Sequence, residues 1–155
     1  KRTGAPVKLL LGGRFAWKTG EVKSAWEQAA CQADVHFTGY LEEEKLCRLM
    51  AAALALTYLS LSEGFGLPLV EAMYAETPVL AANATALPEI AGEAALLVDP
   101  LSEEAIAGAL ERLYTDRDLA RSLVEKGRRR RAQFSWDAAA EAIYRILREA
   151  AKPSA

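Results

Sequence analysis

The sequence predicts an α/β fold, a parallel sheet with helices on both faces. Short apolar runs alternate with longer segments of helical character along the chain, the pattern of strands joined by helical crossovers. The runs at 54–60, 78–82 and 95–98 are nearly continuous in apolar residues, as strands buried on both faces require. The 155 residues are 52% hydrophobic and 26% charged, which supports one domain with a real core.

Strands are expected at 7–11, 35–38, 54–60, 78–82 and 95–98. Helices are expected between them at 20–33, 42–53 and 67–75, with a short helical turn at 88–91. Pro68 suits the first turn of its helix, where a missing N–H is no loss. Three further helices follow, at 102–115, 118–133 and 135–151. Ser102, with Glu104, Ala105 and Ile106, opens an amphipathic run. An Asp of the Asp116-Arg117-Asp118 group caps the next helix, and Ser135 caps the last. The tail at 152–155 should fray. No internal repeat, low-complexity stretch or linker interrupts this order.

The stretch Glu63-Gly64-Phe65-Gly66-Leu67-Pro68-Leu69-Val70-Glu71 carries the chemistry. It is a turn entering a helix, with a carboxylate on each side of the junction. Gly64 and Gly66 let the backbone bend and a ligand approach closely. The first N–H groups of the helix lack intrahelical partners and attract an anion. A carboxylate accepts two hydrogen bonds side by side, which matches a vicinal diol. Two acids around an anion site are unneeded for phosphate alone. They fit a ligand with hydroxyls on either side of a diphosphate, such as a nucleotide sugar. The competing reading is a capped buried helix, with Glu63 near its positive end as a structural cap.

Longer matches join this stretch. They are Val35-His36-Phe37-Thr38-Gly39-Tyr40, Ser60-Leu61-Ser62 before Glu63, Glu71-Ala72-Met73 and Thr77-Pro78-Val79. Pro88-Glu89-Ile90-Ala91-Gly92, 94–100 and Phe134-Ser135-Trp136 complete the set. In this order the chain resembles the C-terminal, donor-binding domain of a family 4 glycosyltransferase of two-domain GT-B architecture, with its Rossmann-like sheet. The resemblance implies that Glu63 contacts hydroxyls of the transferred hexose and is the catalytic candidate. It places the amides of Gly64, Phe65, Gly66 and Leu67 along the sugar and diphosphate, and Glu71 on the ribose. Gly39 and Tyr40, with Leu41, would flank the base. The two groups follow strand ends, where ligands of open parallel sheets bind, and are expected to meet on one sheet edge. The resemblance further implies transfer with retention of anomeric configuration and no metal or other cofactor. Helix-end amides are able to stabilise a departing diphosphate by themselves.

The chain also departs from the family pattern. Relatives usually carry a small residue, often Gly, where Glu76 stands, and Pro where Leu59 stands. Neither position is expected to touch ligand. Relatives open with a strand, a loop bearing an Arg and a Lys for the diphosphate, and a helix. Here Lys8-Leu9-Leu10-Leu11-Gly12-Gly13 resembles their second strand. Arg14 and Lys18 stand one residue short of that pair's spacing. The expectation is therefore a fragment, residues 1–155 forming one domain of a larger enzyme. The N-terminal acceptor-binding domain would be missing and the fragment inactive by itself, and the sheet would have a gap to close by direct pairing, by a strand from another copy or by a separate piece of the polypeptide.

Composition narrows the alternatives. A net charge of −2 does not suggest a nucleic-acid partner. No apolar run reaches membrane-spanning length. Cys31, Cys47 and the single His36 offer no metal-ligand spacing. They read as reduced, partly buried thiols of a cytoplasmic protein and an ordinary strand residue. The run Arg128–Arg131 complements a helix end, with contact to an anionic lipid surface as the other reading. Trp26 and Trp136 are expected to pack helices, and Trp17 to lie near the ligand edge. Asn83, Thr85 and Glu89 follow a strand end within reach of the same ligand. Function then reads as the donor half of a retaining hexosyltransferase in glycan or polysaccharide synthesis. The alternatives are a non-catalytic nucleotide-sugar-binding module and a plain packed domain.

Overall fold

The computed structural model describes residues 6–14 and 19–151. Trp17, Lys18 and the tail at 152–155 lie outside them. The chain divides into two compact units, Lys1–Arg48 and Leu49–Ala155.

In the first unit, β1 (Leu9–Gly12) and β2 (Val35–Gly39) pair in parallel, with Leu9 opposite Val35. The connection is α1 (Thr19–Gln28) and a 3-10 turn, Gln32–Asp34. The helix stops short of residue 33 because Ala29 N–H and Gln32 N–H turn back to carbonyls three residues earlier, the tighter bonding of a helix that is ending. The register slips after Leu11, bringing Gly12 opposite Gly39. Gly13 N–H then donates to the Gly39 carbonyl at 3.0 Å. Both Gly13 (φ 117°) and Gly39 (φ 68°) hold positive φ, which a side chain would resist. Trp26 does pack as expected, edge-on to Phe37 at 5.4 Å. His36 is an exposed strand residue 3.4 Å from the Lys8 ammonium. Cys31 is half-buried, whereas Cys47 is exposed rather than partly buried; both are free thiols.

Helix α2 (Glu43–Ala52) leads into the second unit. There follow β3 (Leu56–Tyr58), α3 (Leu67–Tyr74), β4 (Val79–Ala82), α4 (Leu87–Ala91) and β5 (Ala95–Val98). Helices α5 (Glu103–Thr115), α6 (Arg117–Arg131) and α7 (Trp136–Ala150) complete the chain. The strands form a parallel sheet in the order β3-β4-β5. All five expected strands form, and among the described residues the ladders join β1 to β2 and β3 to β4 to β5. Strand β3 is shorter than expected because its ladder to β4 runs only from Leu56 to Tyr58, and Leu54 is exposed before it.

Successive side chains of β4 leave opposite faces of the sheet. Val79 and Ala81 join Leu69, Val70, Ala72, Leu87 and Ile90 from α3 and α4. Leu80 joins Ala109, Leu113 and Leu123 from α5 and α6. Leu69, Leu80 and Leu87 are wholly buried, each worth roughly 1.5–3 kcal/mol in apolar transfer. This two-sided cover is what the continuous apolar run at 78–82 demands. The caps also match the sequence. Ser102 accepts from Ala105 N–H, Asp116 from Leu119 N–H and Ser135 from Ala138 N–H.

Thr77 is the one buried polar side chain recorded among the described residues, and its hydroxyl donates to the Met50 carbonyl at 2.6 Å. That bond ties the end of α2 to the entry of β4. Thr77→Val keeps the shape and deletes the bond. Because Ala53 N–H still serves the Met50 carbonyl, a loss of only about 1 kcal/mol is expected in urea denaturation.

The basic run serves neighbouring helix ends more than its own. Arg131 donates to the Met73 and Tyr74 carbonyls at 3.1 Å, closing the C-terminus of α3. Arg130 donates to the carbonyls of Glu89 and Ile90, closing α4. Arg128 forks onto the Glu76 carboxylate. Such last-turn carbonyls have no intrahelical partner and attract cations.

Glu76 lies just beyond α3 with φ 59°, a conformation that suits glycine. Its bond to Arg128 offsets the strain and holds the Glu76 carboxyl below its usual range, first through that hydrogen bond. A lowered carboxyl stabilises the fold above the ordinary carboxylate range and loses that effect as pH falls through its folded value. Glu76→Gly removes both the pair and the strain. Melting temperatures recorded between pH 7 and pH 3 should therefore shift in favour of the glycine variant as the solution is acidified. A constant difference between the two proteins would contradict this account.

Trp136 corrects an expectation. It is 84% exposed at the start of α7, and no residue of that helix is buried. Phe134, two residues earlier, is the aromatic that packs.

Candidate functional site

Strand β3 ends at Tyr58, and the chain then runs through a loop to Gly66, the N-cap of α3. Gly66 has φ 99° and ψ 48°. A Cβ there would lie 2.5 Å from Leu87 Cδ2, so glycine is required by both torsion and space. Pro68 stands in the first turn, as expected. Phe65 meets Phe134 edge-on at 5.8 Å, and the Arg130 guanidinium lies over that Phe134 ring. The segment that opens the last helix thus braces the motif loop.

No side chain caps α3. The reading of Glu63 as a cap is therefore not what its geometry shows. Its carboxylate instead accepts from the Tyr58 hydroxyl at 2.6 Å, and its N–H donates to Thr85 Oγ1 at 3.0 Å. The Tyr58 bond, and after it the Ser60 hydroxyl, hold the Glu63 carboxyl below its usual range despite some desolvation. The Tyr58 phenol is pushed up to about 12, by burial first and then by Glu63, with a further push from the Glu71 charge. Both acids of the motif therefore act on one phenol.

Glu71 is exposed on α3, and its carboxylate makes no hydrogen bond or ion pair among the described residues. The N–H groups of Gly64, Phe65, Gly66 and Leu67 also find no acceptor among them. The result is a row of main-chain donors at a helix start with carboxylate acceptors before and after it. Donors in that position receive oxyanions, and carboxylates receive hydroxyls.

Gly39 and Tyr40 lie in the first unit, whereas residues 63–71 lie in the second. Tyr40 is 67% exposed, with the Arg14 guanidinium 5.1 Å above its ring. Asn83 and Glu89 are exposed; Thr85 alone of that trio is bonded to the motif. Tyr58 was missed in the sequence because it reads as one more member of an apolar run. Its only signal was a phenol at the strand's end five residues before Glu63.

Two concavities, about 660 Å³ along α7 and about 340 Å³ beside α6, lie away from the motif. The case for the site rests on its polar geometry. Asp116 and Asp118 act as a helix cap and a partner of Arg121. Among the described residues no three His, Cys, Asp or Glu side chains cluster as metal ligands would, and no helix is long and apolar enough to cross a membrane.

The model of the family described as glycosyl transferases group 1 matches residues 1–130. The O-antigen chain mannosyltransferase B of Escherichia coli is 34% identical over 129 residues, covering 83% of this chain and 34% of that protein. The crystal structure of Anabaena HepE in complex with UDP-glucose superposes with a TM-score of 0.83 at 22% identity, covering 94% of this chain and 42% of that one. The C-terminal domain of a group 1 family protein, LpcC from Francisella tularensis, superposes with a TM-score of 0.67 at 24% identity, covering 85% of this chain and 88% of that one. This chain spans about a third or less of the length of the curated relatives it matches. With the family model matching most of its length and a relative at 34% identity, the chain belongs to the group 1 glycosyl transferases.

Proposed function

We propose that this chain is the donor-binding part of a retaining hexosyltransferase. It would hold a nucleotide sugar while an acceptor, bound by an N-terminal domain, receives the hexose in glycan or polysaccharide synthesis. The observation that carries the reading is the row of unpaired amides from Gly64 to Leu67 between Glu63 and Glu71. The amides would face the diphosphate and stabilise it as it departs, with no metal or other cofactor required. Glu63 would accept from the hexose, Glu71 from the ribose, and Gly39 and Tyr40 would flank the base. The mannosyltransferase relative and the UDP-glucose complex of HepE support a nucleotide-sugar donor.

The test is calorimetry with UDP-glucose, GDP-mannose and the matching nucleoside diphosphates. Binding of at least one pair is expected, and binding of none overturns the reading. Hexose transfer by this chain together with an N-terminal acceptor domain would separate an enzyme part from a non-catalytic binding module. A module would bind donor and transfer nothing.

A further inference from the structure

Glu63 is held from two directions that its own motif does not supply. Tyr58, the last residue of β3, donates its hydroxyl to Glu63 Oε1 at 2.6 Å. This lies in the short range of O–H bonds to carboxylates. Thr85, between β4 and α4, accepts the Glu63 N–H at 3.0 Å. Thr85 does so with φ 48°, a conformation that a β-branched residue resists and that persists only where surrounding structure enforces it. One contact fixes the carboxylate and the other fixes the main chain beneath it. One comes from the end of β3 and the other from the loop that follows β4, its neighbour in the sheet.

We infer that Tyr58 and Thr85 are positioning residues for Glu63, fixing the one carboxylate that selects the sugar part of the donor. The inference rests on the donor-site reading above. A carboxylate on a loop swings freely in water, so its hydrogen bond to a sugar hydroxyl bears the entropy of being ordered. Anchoring one oxygen and the adjoining amide removes that cost before the ligand arrives. The phenol, raised to about 12, stays protonated and remains a donor across the physiological range. Among the described residues, Tyr58 from β3 is the ionisable group that acts on the carboxylate, and Glu71 from α3 acts on the Tyr58 phenol; Ser60 and Thr85 are neutral.

The test compares nucleotide sugars with nucleotides that lack the sugar. UDP-glucose against UDP, and GDP-mannose against GDP, are titrated into the wild-type chain, Tyr58→Phe, Thr85→Gly and Thr85→Ser. Tyr58→Phe should weaken the sugar-bearing ligand about three- to tenfold and leave the diphosphate within about twofold. It should also move the acid limb of nucleotide-sugar binding to higher pH, because Glu63 loses the bond that favours its charged form. Thr85→Gly relieves the backbone strain, yet should weaken the sugar-bearing ligand selectively, with Thr85→Ser restoring it. Equal losses for both ligands, or unchanged binding and an unchanged acid limb in Tyr58→Phe, overturn the inference while the donor site stands. A wild-type chain that binds none of the four ligands overturns the donor site and this inference together.

Discussion

Gly66→Ala is expected to lower the folding stability of the chain by roughly 2–5 kcal/mol. The first contribution is torsional. At φ 99° and ψ 48° a Cβ crowds its own backbone, which costs about 1–2 kcal/mol. The second is steric. The new methyl would sit 2.5 Å from Leu87 Cδ2, and Leu87 is wholly buried in the core of α3, α4 and β4. A buried side chain in a close-packed interior yields only by forcing its neighbours off their rotamers. Gly64→Ala supplies the control. No atom lies within 4 Å of its prospective Cβ, and its φ is outside the disfavoured range. Its change should stay within about 0.5–1 kcal/mol. Urea denaturation of the two variants measures the difference directly. Equal midpoints would show that Gly66 is not the pivot on which the loop enters α3.

The same glycine marks what the sequence disclosed and what it concealed. Gly64 and Gly66 both read as permissive positions, and only the placement of Leu87 separates the required glycine from the tolerant one. Strand order, helix order and the capping residues were legible because each rests on local chemistry. An apolar run such as 78–82 can only be buried on two faces, and Ser102, Asp116 and Ser135 each serve an amide three residues away. Long-range pairings were not legible. Nothing near Arg128–Arg131 in the sequence says that these side chains close the ends of α3 and α4, some forty to sixty residues earlier. Glu76, which looked like an arbitrary replacement of a small residue, is explained by Arg128 across the same gap. Tyr58 was hidden differently. A phenol within an apolar strand counts as core until the strand's end is known, and the strand ended two residues earlier than the apolar run suggests.

Glu63→Ala and Glu71→Ala should separate the two ends of the donor. The acids lie on opposite sides of the amide row, so one ligand that spans the row meets them with different chemical groups. If Glu63 receives the hexose, its loss should weaken a nucleotide sugar on the order of 10- to 100-fold and leave the nucleoside diphosphate nearly unchanged. If Glu71 receives the ribose, its loss should weaken both ligands by a similar factor, since both carry the ribose. The two variants should melt close to the wild type. Glu71 has no partner among the described residues to lose, and the Tyr58 phenol released by Glu63→Ala is only partly buried and near solvent. That combination distinguishes a binding role from a capping role, because a cap would register in the melt and not in the ligand. Reversal of the pattern, with Glu71→Ala affecting only the sugar-bearing ligand, would mean that the donor runs across the amides in the opposite direction. Indifference of both variants to both ligands would remove the acids from the site, leaving the α3 amides as a bare anion cradle with no means of telling a nucleotide sugar from inorganic phosphate.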